Sequence, residues 1–214
     1  MVDIEWALKQ LDQVYHSEDH FKLSLAAELA QMYGDERVRL EWKPETQAQV
    51  DIGIRREDVT IPVELKYKTD GATVEDDTFD ESFELASQGA QSDAHYRIFR
   101  DIRRIEEIVT EQGRYGYVVL LTNDANYWSP PTHTSESLHD AFRIHEGRTV
   151  EGPLAWREIR GWIRNQGMSD PIDLKGRYQM EWSGYSYRDE IRVSDNSAFR
   201  SLVLRADVAD LDDD

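Results

Sequence analysis

Between Val59 and Lys68 the chain reads VTIPVELKYK, with Val59, Ile61, Val63, Leu65 and Tyr67 alternating with Thr60, Pro62, Glu64, Lys66 and Lys68. A strand sends successive side chains to opposite faces, so Glu64 and Lys66 emerge together, away from the apolar set. Upstream, Asp51 sits in a second β-like run, Val50 to Ile54. If Ile54 pairs with Val59 across the polar turn Arg55-Arg56-Glu57-Asp58, Asp51 falls opposite Pro62 and joins the same face. Diagonal cross-strand neighbours lie about 7–8 Å apart, within reach of two carboxylates that converge on one hard divalent cation. Asp51 and Glu64 are therefore candidate ligands for Mg²⁺, with Mn²⁺ as a substitute, and Lys66 is a candidate catalytic ammonium. Phosphodiester hydrolysis needs this combination: a cation to neutralise phosphoryl charge and lower the pKa of a bound water, and an ammonium to orient that water or steady the transition state.

The elements that must position these residues follow from periodicity. Ile4, Leu8, Leu11 and Tyr15 have helical spacing, and Ser17 reads as the N-cap of a second helix with Phe21, Leu25, Leu29 and Met32 on one face, ended by Gly34 and Asp35. Strands are expected at Val38 to Trp42, Val50 to Ile54 and Val59 to Tyr67, followed by an acidic loop from Val74 to Glu84. A long helix runs from about Ala94 to Gln112 with Ile98, Ile102, Ile105 and Val109 as its buried stripe and Gly113 as its stop; the apolar run Tyr117 to Thr122 is a strand covered on both faces. Beyond it, Asn126 to Thr134 reads as loop, with helices near Leu138 to His145 and Leu154 to Arg164 and strands at Tyr178 to Tyr187 and Phe199 to Arg205. The order α-β-β-β-α-β implies an α/β fold, a mixed sheet flanked by helices with additional C-terminal helices and strands. The expected organisation is one unit over residues 1–214: a core at about 17–122, an elaboration at 123–206 and an acidic tail at 207–214.

Asp51-Ile52-Gly53-Ile54, a gap, and Glu64-Leu65-Lys66 resemble the D…(D/E)XK signature of the PD-(D/E)XK nuclease superfamily, the restriction-endonuclease-like proteins. The resemblance covers about residues 17–122 and departs at the first position of the signature, where Val50 stands in place of proline. It implies an αβββαβ core and a Mg²⁺-dependent endonuclease acting on DNA, in restriction, phage defence or repair, with a homodimer as a common arrangement among such enzymes. The superfamily often adds a glutamate from the preceding helix, and Glu18, near the centre of the Phe21-Leu25-Met32 stripe, ranks above Glu28 for that part. An ordinary first-turn acid that complements the helix dipole is the competing reading of Glu18. On the later helix, Arg97, Asp101 and Arg104 share a flank, where such nucleases place phosphate contacts; an intrahelical ion-pair ladder is the alternative. Lys68 and Gln91 join Arg97 and Arg104 as candidate nucleic-acid contacts. Gln88 and Gln91 are otherwise residues of a solvated loop.

Other features point elsewhere. His133, His139 and His145 lack a tight ligand spacing and read as surface histidines. Trp182, Tyr185 and Tyr187 could stack bases, although alternating aromatics on a strand more commonly pack a core. No phosphate-cradling glycine loop, serine elbow or histidine triad is present, and with no cysteine, thiolate metal sites and thiol nucleophiles are excluded. No apolar run approaches the roughly 18–20 residues of a membrane span, and the N-terminus lacks a signal-peptide layout, so a cytoplasmic protein is expected.

The net charge is −18, from 43 acidic and 25 basic residues. Self-repulsion on this scale is a halophile device, suited to a salt-filled cytosol. Two other readings of the charge are an acidic DNA mimic that binds DNA-binding proteins, and a nuclease fold that has lost catalysis and serves as a binding module. Lysine occurs only at 9, 22, 43, 66, 68 and 175, with arginine supplying the rest of the positive charge, so Lys66 and Lys68 are exceptions to a preference. If the halophile reading holds, circular dichroism will follow cooperative unfolding on dialysis from molar KCl to low salt; a fold indifferent to salt would overturn it.

Overall fold

The computed structural model describes residues 1–44, 49–89, 91–112, 114–132 and 137–211. In chain order its elements are α1 (Ile4–Gln10), α2 (Glu18–Tyr33), β1 (Val38–Trp42), β2 (Val50–Arg56), β3 (Val59–Lys68), β4 (Ala72–Asp76), β5 (Glu81–Leu85), α3 (Gln91–Gln112), β6 (Tyr115–Thr122), β7 (Thr149–Leu154), α4 (Gly161–Asn165), β8 (Ile172–Gln179), β9 (Trp182–Tyr185), β10 (Ile191–Val193) and β11 (Phe199–Asp207). Six strands form a mixed sheet in the order β1-β2-β3-β6-β11-β9. All its pairs are antiparallel except β3 with β6, the pair joined through α3. Two small sheets, β10-β4-β5 and β7-β8, complete the strands. Among the described residues, no helix is long and apolar enough to cross a membrane.

The central sheet is buried on both faces. Phe21, Leu25 and Leu29 of α2 pack with α1 on Ile52, Ile54, Ile61, Val63 and Leu65. On the opposite face Ile98, Ile102 and Ile105 of α3 pack on Val118, Leu120, Leu202 and Leu204, and the β7-β8 hairpin closes over α3 through Val150, Leu174 and Tyr178. A glycine permits close approach beneath α3: a Cβ on Gly116 would stand 2.7 Å from both Ile105 Cγ2 and Pro62 Cγ. Gly53 in turn makes room for the Trp42 ring of β1, 2.7 Å from where its Cβ would lie. The small residue at 116 lets the helix settle on the sheet, which brings its polar flank over Glu64 and Lys66.

Local signals succeed where the element is locally determined. Ser17 Oγ accepts the His20 N–H at 3.1 Å and starts α2, and Gly34, at φ 103°, ends it. Gly113, the expected stop of α3, lies outside the described residues, as does the end of the acidic tail, 212–214.

Several expectations are corrected. The register of β2 on β3 is displaced by two residues, with Ile54 opposite Ile61 and Ile52 opposite Val63, because only Glu57 and Asp58 form the turn. The shift is even, so facing is retained over the paired stretch; Pro62 pairs with Gly53, and Asp51 falls one residue past the last pair, Ile52 with Val63. The Val74 to Glu84 segment is not a loop but the β4-β5 hairpin, paired through β4 with the distant β10. Its acids hide a period-two pattern in which Ala72, Val74 and Asp76 are buried, and Asp76 is neutralised by Arg188. Helix does not form over 138–145 beyond the 3₁₀ turn Asp140–Phe142, and 154–164 begins as the end of β7 and reaches only the short α4. The first helix stops at Gln10, and the expected 178–187 strand divides into the end of β8 and β9, with Met180 and Glu181 between them.

Glu106 fastens the C-terminal hairpin to the helix above the site. Its fully buried carboxylate accepts from the N–H groups of Lys175 (3.0 Å) and Gly176 (2.7 Å) and from the Tyr178 hydroxyl (2.8 Å), with Arg103 at 3.3 Å. Removing it orphans several buried donors at once. Glu106→Ala is expected to lower stability in urea unfolding by about 3 kcal/mol or more, whereas Glu107→Ala, on the same helix but in a half-exposed pair, stays within about 0.5 kcal/mol.

Candidate active site

The site forms where β2 leaves β3. Backbone pairing between them ends at Ile52 and Val63, yet β3 continues to Lys68. Two N–H groups of β3 beyond that point, at Leu65 and Tyr67, are taken by carboxylates: Leu65 N donates to Asp51 Oδ2 at 2.8 Å and Tyr67 N to Glu18 Oε2 at 2.8 Å. Buried backbone donors must find acceptors. Asp51 and Glu18 thus extend the ladder with side chains where strand is missing, and this fixes both carboxylates beside the Glu64-Leu65-Lys66 segment. β2 also rotates here. Val50 packs in the α3-side core and Ile52 in the α2-side core, and opposite Asp51 in β1 the backbone of Glu41 is left-handed, φ 51°.

Glu64 and Lys66 project toward α3, whose flank supplies Asp101 and Arg104. Lys66 Nζ lies 3.1 Å from Glu64 Oε1, 3.1 Å from Asp101 Oδ2 and 2.9 Å from the Leu65 carbonyl. Arg104 stands 2.6 Å from Glu64 Oε2 and 3.4 Å from Asp101 Oδ1. Its N–H bonds are not aligned on either oxygen. Glu64 Oε2, Arg104 Nε and the Arg104 nitrogen nearest the carboxylate are all buried without a hydrogen bond. Burial is the main cause that pushes the Glu64 carboxyl above its ordinary value; Asp101 and Asp51 add to the rise, while Lys66 and Arg104 oppose it. Burial works against the Lys66 ammonium, but Asp101, Glu64 and Glu18 outweigh it, so Lys66 is held above the ordinary lysine range. It is a cation and a donor at any physiological pH.

Asp51 has a basic partner of its own, Lys22 of α2, at 3.3 Å from Oδ1. Lys22 also meets Asp19 at 3.0 Å and Glu41, and these carboxylates with Asp51 raise its pKa despite burial. Sequence periodicity did not single out Lys22. Its signal was compositional, since three of the six lysines, at 22, 66 and 68, gather at this place. Asp101, read as part of a possible ladder, does pair with Arg104, but it also crosses to Lys66.

Beside the carboxylates opens a cleft of about 300 Å³, walled by Glu18, Lys66, Lys68, Gln88 and Arg97 among others. Lys68 Nζ donates to Gln88 Oε1 at 3.3 Å, and Arg97 to Gln166 Oε1 at 3.3 Å, so both cations have only neutral side-chain partners at these contacts. Gln91 opens α3 rather than lying in a loop, and its amide donates to Asp124 Oδ2 at 2.8 Å. Glu28 sits ten residues along α2 from Glu18, about 15 Å by helical rise, so Glu18 is the helix glutamate at the site. Trp182 and Tyr185 are core residues whose polar atoms donate to the carbonyls of Ile144 and Gln13, and the Tyr187 hydroxyl donates to Ser197 O. His139 and His145 are partly buried rather than surface residues, grouped with the buried His95; His133 lies outside the described residues.

Among the described residues, no group of three or more histidine, aspartate and glutamate side chains is gathered as a self-sufficient metal cage. What is present is two carboxylates on neighbouring strands, Asp51 bonded to the Leu65 N–H and Glu64 bonded to Lys66, with one buried Glu64 oxygen that lacks a hydrogen bond. Such donors suit a hard divalent cation that keeps several waters. No family model matches the chain, and neither does any curated protein or solved structure.

The electrostatics can be checked by carbon-detected NMR titration of the Glu64 carboxyl. Its midpoint is expected above the ordinary glutamate value of about 4.3. Arg104→Gln should raise it further, because a cation that favours ionisation is lost, and Asp101→Asn should lower it, because a repelling anion is lost. Since the ionised form is the disfavoured one in the fold, the Glu64 contribution to stability is most favourable below the ordinary value and diminishes as pH rises through the raised midpoint.

Proposed function

We propose that this chain is a Mg²⁺-dependent endonuclease of the PD-(D/E)XK type acting on DNA, with Mn²⁺ able to substitute. The observation that carries the reading is the placing of Asp51 on the Leu65 N–H and of Glu64 against Lys66 at the parting of β2 and β3, with Lys66 also walling a cleft shared by Glu18, Lys68, Asp93 and Arg97. The order α2-β1-β2-β3-α3-β6 supports it, being the α-β-β-β-α-β succession that the resemblance implies, with β4 and β5 inserted before the second helix. Antiparallel β1-β2-β3 followed by a parallel β6 agrees with that arrangement.

Asp51 and Glu64 would hold the cation, which when bound neutralises charge on the phosphoryl oxygens and acidifies a water. Glu18, Asp51 and the β3 backbone keep the segment rigid, so the geometry is set before substrate arrives. Lys66, held protonated, serves as a donor toward the attacking water or the crowded phosphorus and not as a base. Lys68 and Arg97 draw the phosphates of one strand along the cleft. These basic groups make a local positive path on a chain whose net charge is −18, and binding through them is short-ranged where salt is high.

A second reading, a nuclease fold that serves only as a binding module, is favoured by one feature: each central carboxylate already has a basic partner, Lys22 for Asp51 and Lys66 with Arg104 for Glu64. The two readings separate in one assay. Supercoiled plasmid incubated with Mg²⁺ in concentrated KCl should be nicked by the wild type, with the rate reduced at least about a hundredfold in Asp51→Ala and in Lys66→Ala. Equal nicking by wild type and Asp51→Ala would sink the nuclease assignment, and no nicking by any form, together with no Mg²⁺ or Mn²⁺ binding, would favour the module.

A further inference from the structure

Arg104 stands where a metal-free carboxylate needs a positive charge, and it is poorly satisfied there. Its terminal nitrogen is 2.6 Å from Glu64 Oε2, close enough for charge neutralisation, while Nε and that same nitrogen are buried with no aligned acceptor. A guanidinium is a planar fork that binds best when two parallel N–H bonds meet two oxygens. Glu64 offers it one oxygen at a poor angle, because Oε1 is engaged by Lys66. A phosphodiester has two free oxygens in the spacing that the fork matches. The side chain is about a quarter exposed, so it has a route outward, and Arg97, two turns earlier on the same flank of α3, already lines the cleft where phosphates would lie.

The departure of Arg104 would leave the rest of the network standing. Asp101 would give up its 3.4 Å contact with Arg104 but keep the 3.1 Å contact with Lys66, and Lys66 would keep Glu64 Oε1, so Glu64 Oε2 bears the main loss. That buried oxygen would then carry an uncompensated charge, which is costly unless another cation takes the vacated place. Resting on the nuclease reading above, we propose that Arg104 is a resident counter-cation of Glu64 that phosphodiester draws away, so that phosphate and divalent metal bind cooperatively and the carboxylate is kept from stray cations until substrate is present. In a salt-rich solvent such a device keeps the site charge-balanced without metal, since the guanidinium is tethered and bulk ions are not.

The test measures Mn²⁺ binding by the free-ion electron paramagnetic resonance signal, on the full chain, with dimethyl phosphate as a hydrolysis-resistant diester. In the wild type, the diester is expected to tighten Mn²⁺ binding by about tenfold, within the usual range of site-to-site coupling. Arg104→Gln should bind Mn²⁺ about tenfold more tightly than wild type with no diester present, and the gain from diester should shrink; Arg104→Lys, which keeps the charge but lacks the fork, should hold the wild-type affinity without diester and show a smaller gain with it. Equal Mn²⁺ affinities for wild type and Arg104→Gln, with binding abolished in Asp51→Asn, would overturn the counter-cation role and leave the metal site intact. Absence of Mn²⁺ binding in every form, with diester or without, would overturn both this proposal and the nuclease reading. Should Arg104→Gln fail to fold by circular dichroism, the wild-type arm alone decides, because a diester that leaves Mn²⁺ affinity unchanged contradicts the coupling.

Discussion

A β-strand that outlasts its neighbour must find other acceptors for its N–H groups, and the site described above is organised by that obligation. β3 runs five residues past the last backbone pair it makes with β2, so Leu65 and Tyr67 donate to the side chains of Asp51 and Glu18 instead. An unmet buried donor costs on the order of 1–3 kcal/mol, so the two acids are held by the fold as much as by any chemistry they perform. The same constraint opens the sheet, since a β2 that continued alongside β3 would fill the place where the carboxylates gather. Structural demand and proposed chemistry therefore fall on the same residue: Asp51 completes a ladder, and it is the carboxylate proposed to hold a cation with Glu64.

Above this opening the protein buries an alternating set of charges. Glu64 and Asp101 face Lys66 and Arg104, with Asp51 and Lys22 as a further pair on the α2 side. Burying ions is expensive, and well-packed apolar side chains usually give at least as much stability. Such a network makes physical sense where its charges are needed for something else, and a carboxyl and an ammonium shifted by burial and by specific charged neighbours beside a cleft are a general sign of function. The directions agree with that view. Burial and neighbouring anions raise Glu64, and carboxylates raise Lys66 against burial, so the proton is retained by the lysine.

Lysine rather than arginine at positions 22, 66 and 68 also fits, in a chain that otherwise favours arginine. A compact ammonium can serve several oxygens at once, as Lys66 does in donating to Glu64 and the Leu65 carbonyl while pairing with Asp101. The planar fork of Arg104, given one carboxylate oxygen at close range, leaves donors unmet. The difference divides the roles. Lys66 is locked in place by good geometry, and Arg104 is held by charge alone.

From the amino-acid order alone, the period-two alternation of Val59 to Lys68 placed Glu64 and Lys66 on one face, and the Ser17 cap placed Glu18 at the start of α2, because both depend only on residues a few positions apart. The parity of the β2-β3 hairpin was legible as well, although the register was two residues off, whereas Asp51, past the last pair, reaches this segment through the Leu65 N–H. Tertiary structure decided what depends on distant partners. The acidic 74–84 segment becomes a hairpin because β10, more than a hundred residues later, pairs with it and Arg188 neutralises Asp76. Lys22 reaches Asp51 only once α2 is laid on the sheet, and Asp101 reaches Lys66 only because Gly116 lets α3 settle close. Periodicity reports which way a side chain leaves its own backbone; the charge it meets there is set by the packing of elements that the local sequence does not see.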